Sequence, residues 1–365
     1  MLKYIDDYRS AELINQISSK LRATPLTPPI NLMEVCGGHT ITIHRYNLYS
    51  QLPPNINLIS GPGCPVCVTS TEFIDQALQL CRQPKMIITT FGDLMRVPGS
   101  DGSLLQAQSQ GADIRICYSP ADAVRIAAQN QEHQVVFLAI GFETTAPLIA
   151  AAILTAQRER ITNFSILSAL KTMPQVMRAL LDVEEIQLDG FICPGHVSAI
   201  TGLNIYQFIV DEYHRPCVVT GFEPVDLMTA ILQLVEMVAH NHPAVVNQYK
   251  RVVRPEGNLK AQAIMYSVFE ACDSIWRGLG KIPGSGLKLK AEFAQFDAAN
   301  YFSILNVPAR ENPACQCGAV LRGVLKPTDC PLFAKICNPS NPQGACMVSS
   351  EGTCATYYKY RRKDG

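Results

Sequence analysis

Short apolar runs alternate with amphipathic stretches through the first two thirds of this 365-residue chain, and that alternation restricts the fold more than any other feature. "INLIS" precedes "STEFIDQALQLC", "KMIITT" precedes a glycine-rich loop, "DIRICY" precedes "SPADAVRIAAQN", and "HQVVFLAIGF" precedes "TTAPLIAAAILTAQRE". Strand-length runs joined by helix-length patterns predict βα repeats and a parallel sheet, because parallel neighbours need a crossover long enough to hold a helix. The pattern restarts with "FSILSAL", "LDGFICPG" and "PCVVTGFEP", the last followed by the helical "PVDLMTAILQLVEMVAHN".

Two echoes suggest that the α/β pattern is built twice. Gly-Phe-Glu follows an apolar run in "AIGFETTAP" and again in "VTGFEPVD", and Pro-Gly recurs in "MRVPGSDG" and "ICPGHVSA". The expected class is therefore α/β: two similar parallel-sheet domains facing a cleft lined by loops from strand carboxyl ends, plus a small cysteine-rich C-terminal domain. The expected division is an N-terminal helix over 1–30, ended by the prolines of "ATPLTPPI", a first α/β domain over 31–150, a second over 151–245, and a helical then cysteine-rich region over 246–365. Within the last, "GNLKAQAIMYSVFEACDSIW" reads as helix and "GLGKIPGSGLKL" as loop.

Composition narrows the partners. Lysine plus arginine and aspartate plus glutamate both total 31, so nothing favours a polyanion such as nucleic acid. No stretch approaches the roughly 18 uncharged apolar residues of a membrane span, and "MLKYIDDYRSAELINQISSKL" lacks a signal peptide's apolar core. A cytoplasmic protein is expected, in which fourteen cysteines serve metals or redox chemistry rather than structural cross-links.

Six of those cysteines lie in the tail, at 315, 317, 330, 337, 346 and 354. A loop-rich stretch of this kind buries too little apolar surface to fold alone, so a metal or cluster is its natural organiser. Cys330, Cys337, Cys346 and Cys354 are separated more widely than the close pairs of structural zinc sites, which favours an iron–sulfur cubane, with zinc the alternative. Cys315 and Cys317 could replace one ligand or form a nearby redox pair.

"EVCGGHT" places Cys36 and His39 on a Gly-Gly turn, and "GPGCPVC" adds Cys64 and Cys67. Three readings compete for these four residues: a Cys3His zinc site, a redox dithiol at Cys64 and Cys67, or part of an open iron site. In "GFETTAP", Glu143, Thr144 and Thr145 can cap the next helix or face the cleft. "CPGHVS" offers His196, with Cys193 before it reading as a core thiol, while Cys81, Cys117, Cys217 and Cys272 read as small hydrophobes.

Taken together, "CGGHT", "GPGCPVC", "GFETTAP", "PGHVS", "GFEP" and the cysteine-rich tail resemble the HypD family of nickel–iron hydrogenase maturation factors, over about residues 30–358. Where that family usually has a second histidine after the first motif, this chain has Ile41, with His44 three residues on. The resemblance implies a [4Fe–4S] tail domain and a scaffold for the Fe(CN)2CO group, with Cys36 holding iron jointly with a small chaperone, HypC, and cyanide arriving from HypE. It also implies electron relay through Cys64–Cys67, an arrangement similar to that of ferredoxin–thioredoxin reductases, and a cleft lined by Glu143, Thr144, Thr145, His196 and Glu223.

Overall fold

The computed structural model describes residues 6–26, 28–182, 187–305 and 308–360. The expected N-terminal helix spans Ala11–Ala23, capped by Ser10 and ending at Thr24 just before Pro25; residues 1–5 and 27 of that expected segment lie outside the described residues. Two parallel sheets follow. In the first, β1 (Ile30–Glu34) and β2 (Ile56–Ser60) join β7 (Gly190–Pro194), β8 (Cys217–Thr220) and β9 (Val245–Asn247) in the order β2-β1-β7-β8-β9. In the second, β3 (Met86–Thr90), β4 (Asp113–Ile116), β5 (Gln134–Gly141) and β6 (Phe164–Leu170) run in the order β4-β3-β5-β6.

The two α/β units are thus present, but the sheets do not follow the division expected at residue 150. The chain leaves the first sheet after β2, builds the whole second sheet, and returns at β7, which pairs with β1 from Leu32↔Gly190 to Glu34↔Ile192. β6, from the segment expected to open the second domain, closes the sheet begun by β3. In each sheet the first strand entered ends up between the second and the third, so both share one strand order. The echoing tripeptides nevertheless occupy unlike places: Gly141-Phe142-Glu143 follows the third strand of its sheet and Gly221-Phe222-Glu223 the fourth strand of the other.

Local signals explain the elements. Ser70 accepts the Phe73 amide at the start of the helix Thr71–Leu80, and Ser119 and Asp122 form a capping box around Pro120 before the helix Pro120–Gln129. β5 is buried from Val135 through Gly141, as an inner parallel strand covered on both faces must be.

The region after 250 departs from expectation. The helix Leu259–Val268 stops at Phe269, where "FEACDSIW" becomes β10 (Phe269–Trp276), and "GKIPGSGLKL" becomes β11 (Gly280–Leu289), an antiparallel hairpin rather than helix and loop. Period-two alternation in β10 and the left-handed Gly278 and Gly280 (φ 78° and 77°) at the turn are the local causes. The hairpin turn grips the segment after Cys67: Arg277 donates its amide to the Val68 carbonyl at 2.9 Å and its Nε to the Thr69 carbonyl at 3.0 Å. Among the described residues no helix is long and apolar enough to cross a membrane.

Candidate metal and thiol site

The crevice between β1 and β7 is the topological switch point of the first sheet, where open α/β sheets place their ligands. Cys36 lies just past β1 and His196 just past β7, and the Cys36 sulfur is 3.7 Å from His196 Nδ1. Cys36 is the N-cap of the helix Gly37–Arg45, so the Gly-Gly pair forms that helix's first turn. The "GPG" turn after β2 presses on the same point: a Cβ on Gly63 would lie 2.2 Å from the Cys36 nitrogen and 2.3 Å from its Cα. Only a glycine fits there.

Glu34 supports this loop from below. It is buried, and its Oε2 accepts the Cys36 amide at 2.9 Å while Oε1 accepts the Thr40 hydroxyl. Burial raises its pKa to about 8 against those hydrogen bonds. Burial, followed by the charges of Glu351 and Glu34, pushes the Cys36 thiol well above its ordinary value, so it stays protonated until a cation replaces the proton. Glu351 comes from the tail; a Cβ on Gly37 would lie 2.3 Å from its carbonyl oxygen, which measures how tightly the tail seats on this turn.

His39 is fully buried and turned toward the fourth strand's loop. Its Nε2–H donates to the Gly221 carbonyl at 3.0 Å, which leaves the Nδ1 lone pair buried without a partner. The ring stacks on Phe222 at 4.9 Å, and His196 meets the other side of the crevice with Phe222 at 5.3 Å. Burial lowers His39 to about 3 and His196 to about 4, so both imidazoles are neutral and have lone pairs for a metal or a proton. His44 packs instead against Tyr357 at 4.2 Å and Tyr49 at 5.1 Å.

Cys64 and Cys67 face another neighbour. The Cys67 amide donates to the Cys64 sulfur at 3.3 Å, and the Cys67 sulfur approaches the Ala345 carbonyl at 4.0 Å. Burial and hydrogen bonds to Cys346 and Cys64 raise the Cys67 pKa. Cys346 is shifted the other way, because the thiols of Cys317, Cys354 and Cys67 all donate to it and favour its thiolate. The dithiol is therefore in sulfur contact with the tail.

All six tail cysteines, 315, 317, 330, 337, 346 and 354, line one small cavity whose other walls include Val320, Phe333 and Met347. Among the described residues no group of three or more His, Cys, Asp or Glu is arranged to hold a single metal ion. The wall's metal-binding side chains are all thiols, the donor set of an iron–sulfur cluster and equally of a thiolate zinc site. Cys36, His39, Cys64 and Cys67 are likewise not gathered about one ion: Cys36 faces His196, and the dithiol faces Cys346.

The remaining predicted residues have structural partners. Glu143 Oε1 accepts the Met173 amide at 2.8 Å, so it caps the helix Met173–Leu181 rather than the helix that follows it, and its buried Oε2 has no partner. Thr145 is the N-cap of the helix Ala146–Arg158 without a side-chain cap bond and packs beneath Gly141; Thr144 precedes it in the same turn. The Glu223 carboxylate pairs with Arg9 at 2.5 Å. Cys117, Cys193 and Cys217 are buried, whereas Cys81 and Cys272 are half-buried.

Burial raises the Glu143 carboxyl to about 7. The folded chain therefore keeps a proton that the unfolded chain releases, and the stability this contributes is fully present below the ordinary carboxyl value of 4.5 and is lost as pH rises through about 7. Glu143→Gln keeps the acceptor for Met173 and removes the titration. Relative to the wild type, its urea midpoint is expected to gain ground between pH 5 and pH 7.5; parallel curves would contradict the assignment.

Two parallel sheets of one strand order, a buried Cys–His contact at a switch point and a thiol-lined tail define a cysteine-rich α/β protein. The comparisons agree and are more specific. Residues 9–361 match the family model described as "HypD: Hydrogenase formation hypA family". The chain is 47% identical to the hydrogenase maturation factor HypD of Cupriavidus necator, covering 99% of this chain and 98% of that one. It is 46% identical to HypD2 of Bradyrhizobium diazoefficiens, over 99% and 97%, and 44% identical to HypD of Escherichia coli, over 100% and 99%. The chain belongs to the HypD family of hydrogenase maturation factors.

Sequence reasoning missed Glu34 and Glu351. Glu34 sits two residues before Cys36 and could have been found, since strand alternation sends residues 34 and 36 to one face. Nothing in "SSEGTC" signals that Glu351 closes on Gly37.

Proposed function

We propose that this chain is a scaffold on which the Fe(CN)2CO group of nickel–iron hydrogenases is assembled, with Cys36 as the protein's anchor for the iron cargo. The observation that carries the reading is how closely the cysteine segments pack: Gly63 of the "GPGC" turn abuts Cys36, and Cys67, in the short helix Pro65–Val68 that follows, brings its sulfur to the Ala345 carbonyl of the tail at 4.0 Å, next to Cys346. A soft thiolate suits low-spin iron(II) with cyanide and carbonyl ligands. Neutral His196, 3.7 Å from the sulfur, places a ring nitrogen beside Cys36 in the crevice.

HypC would share the iron with Cys36, and HypE would deliver cyanide, both within a maturation complex. Oxidation of the Cys64–Cys67 dithiol to a disulfide releases two electrons and two protons, which suits the reductive step of cyanide transfer. Cys330, Cys337, Cys346 and Cys354, all in one cavity, would hold a [4Fe–4S] cluster, with Cys315 and Cys317 beside them. Such a cluster, when bound, supplies one-electron chemistry.

Metal and labile-sulfide analysis of anaerobically purified protein tests the tail assignment. About four irons and four sulfides per chain and a brown colour are expected, and Cys346→Ser is expected to lose most of both. Colourless protein with stoichiometric zinc would contradict it.

A further inference from the structure

Away from the Cys36 crevice, a solvent-connected cavity of ≈ 490 Å³ opens between the loops after β3 and the tail. That size falls within the range of small-molecule sites. Its wall contains three guanidinium groups, those of Arg96, Arg277 and Arg310, against a single carboxylate, Glu311. Arg277 is only 5% exposed; its Nε donates to the Thr69 carbonyl and one terminal nitrogen to the Thr71 hydroxyl at 2.6 Å, with Glu311 3.6 Å from Nε. Arg96 donates to the Pro339 and Val348 carbonyls at 3.1 and 3.3 Å, and Arg310 pairs with Asp101.

Arg277 and Arg310 each keep one carboxylate partner, Glu311 and Asp101, while Arg96 is held by carbonyls alone, so the guanidiniums outnumber their carboxylate partners by one and the wall stays net positive. The deep end of the cavity is sulfur: Cys315 and Cys317 line it and also line the thiol cavity of the tail. From there the sulfurs are in sequence, Cys317 with Cys346, Cys346 with Cys67, and Cys67 with Cys64. A positive mouth leading to a thiol chain concentrates negative donors at the point where electrons can enter.

We infer that this cavity is the port for a small anionic reductant, a donor bearing carboxylate, phosphate or sulfur-oxyanion groups, which binds at Arg96, Arg277 and Arg310 beside Cys317 and gives up its electrons there to the oxidised Cys64–Cys67 pair as their acceptor. The inference rests on the redox role proposed above. With Cys64 and Cys67 as a disulfide, two electrons from the donor and two protons from solvent break the S–S bond and leave two thiols, and the donor departs oxidised by two electrons in total. The cavity serves entry, whereas the Cys36 crevice serves the cargo.

The test compares two one-electron donors of opposite charge, dithionite and the methyl viologen radical cation, by stopped-flow reduction of the full holo-protein. Arg96→Gln with Arg310→Gln is expected to slow dithionite about tenfold and to leave the viologen rate unchanged or raised, with the Arg96→Lys, Arg310→Lys pair restoring the dithionite rate. Slowing of both donors alike, or of neither, would overturn the port. Inorganic pyrophosphate, a non-reducing anion, is titrated calorimetrically in parallel: binding weakened about tenfold by the glutamine pair supports the site, and binding that is absent or unaffected overturns it. If neither donor reduces the wild type, the redox role fails, while the pyrophosphate titration still decides whether the anion site exists.

Discussion

Gly63→Ala is expected to destabilise the protein by about 3 kcal/mol and to displace Cys36, because the new methyl has only backbone in front of it. The Cys36 nitrogen and Cα and the Val35 carbonyl carbon would all lie within 2.4 Å of that Cβ. None of these atoms can rotate away as a side-chain tip could, and they directly follow β1, which pairs with β2 and β7 on its two sides. Relief must come by moving the "GPGC" turn, which shifts Cys64 and, with it, Cys67 from its place against the Ala345 carbonyl. Gly38→Ala is the control: its Cβ would meet Phe222 Cδ1 at 3.0 Å, and a ring edge can tilt, so a cost of about 1 kcal/mol is expected. Urea unfolding of both variants measures the difference, and equal midpoints would contradict the close approach at residue 63.

The α/β class was legible because the period of apolar residues switches between strand and helix values, and those periods are set by local geometry. Pairing was not. Each βα unit reads alike, so nothing local distinguishes a crossover that stays in one sheet from the one between β2 and β3 that starts another. The hairpin of β10 and β11 was lost for a related reason: "AQAIMYSVF" has the apolar density of a helix, and the alternation that begins at Phe269 is visible only once the helix is known to stop at Val268.

The site was legible where glycine accompanies a reactive side chain. "CGGHT" and "GPGCPVC" both lie at carboxyl ends of neighbouring strands, as their flanking apolar runs predict, and the six tail cysteines share one cavity. Partner choice was less visible. His39 is next to Cys36 in sequence, yet helical geometry carries its ring toward Gly221, and the imidazole facing the Cys36 sulfur comes from β7, 160 residues away. Glu143 and Glu223 showed the same Gly-Phe-Glu context and took unrelated partners, the Met173 amide and Arg9, because their strands hold different ranks in different sheets.

The central claim is that Cys36 anchors the iron cargo. Its sulfur is buried at the switch point against His196, while Cys64 accepts the Cys67 amide and the Cys67 sulfur approaches the Ala345 carbonyl of the tail. Infrared spectroscopy of the anaerobically co-purified complex with the small chaperone, in wild type and Cys36→Ala, tests this most directly, with circular dichroism confirming that the variant is folded. The account predicts cyanide and carbonyl stretches in the wild type and their loss in the folded variant; bands of unchanged position and intensity in Cys36→Ala would contradict it.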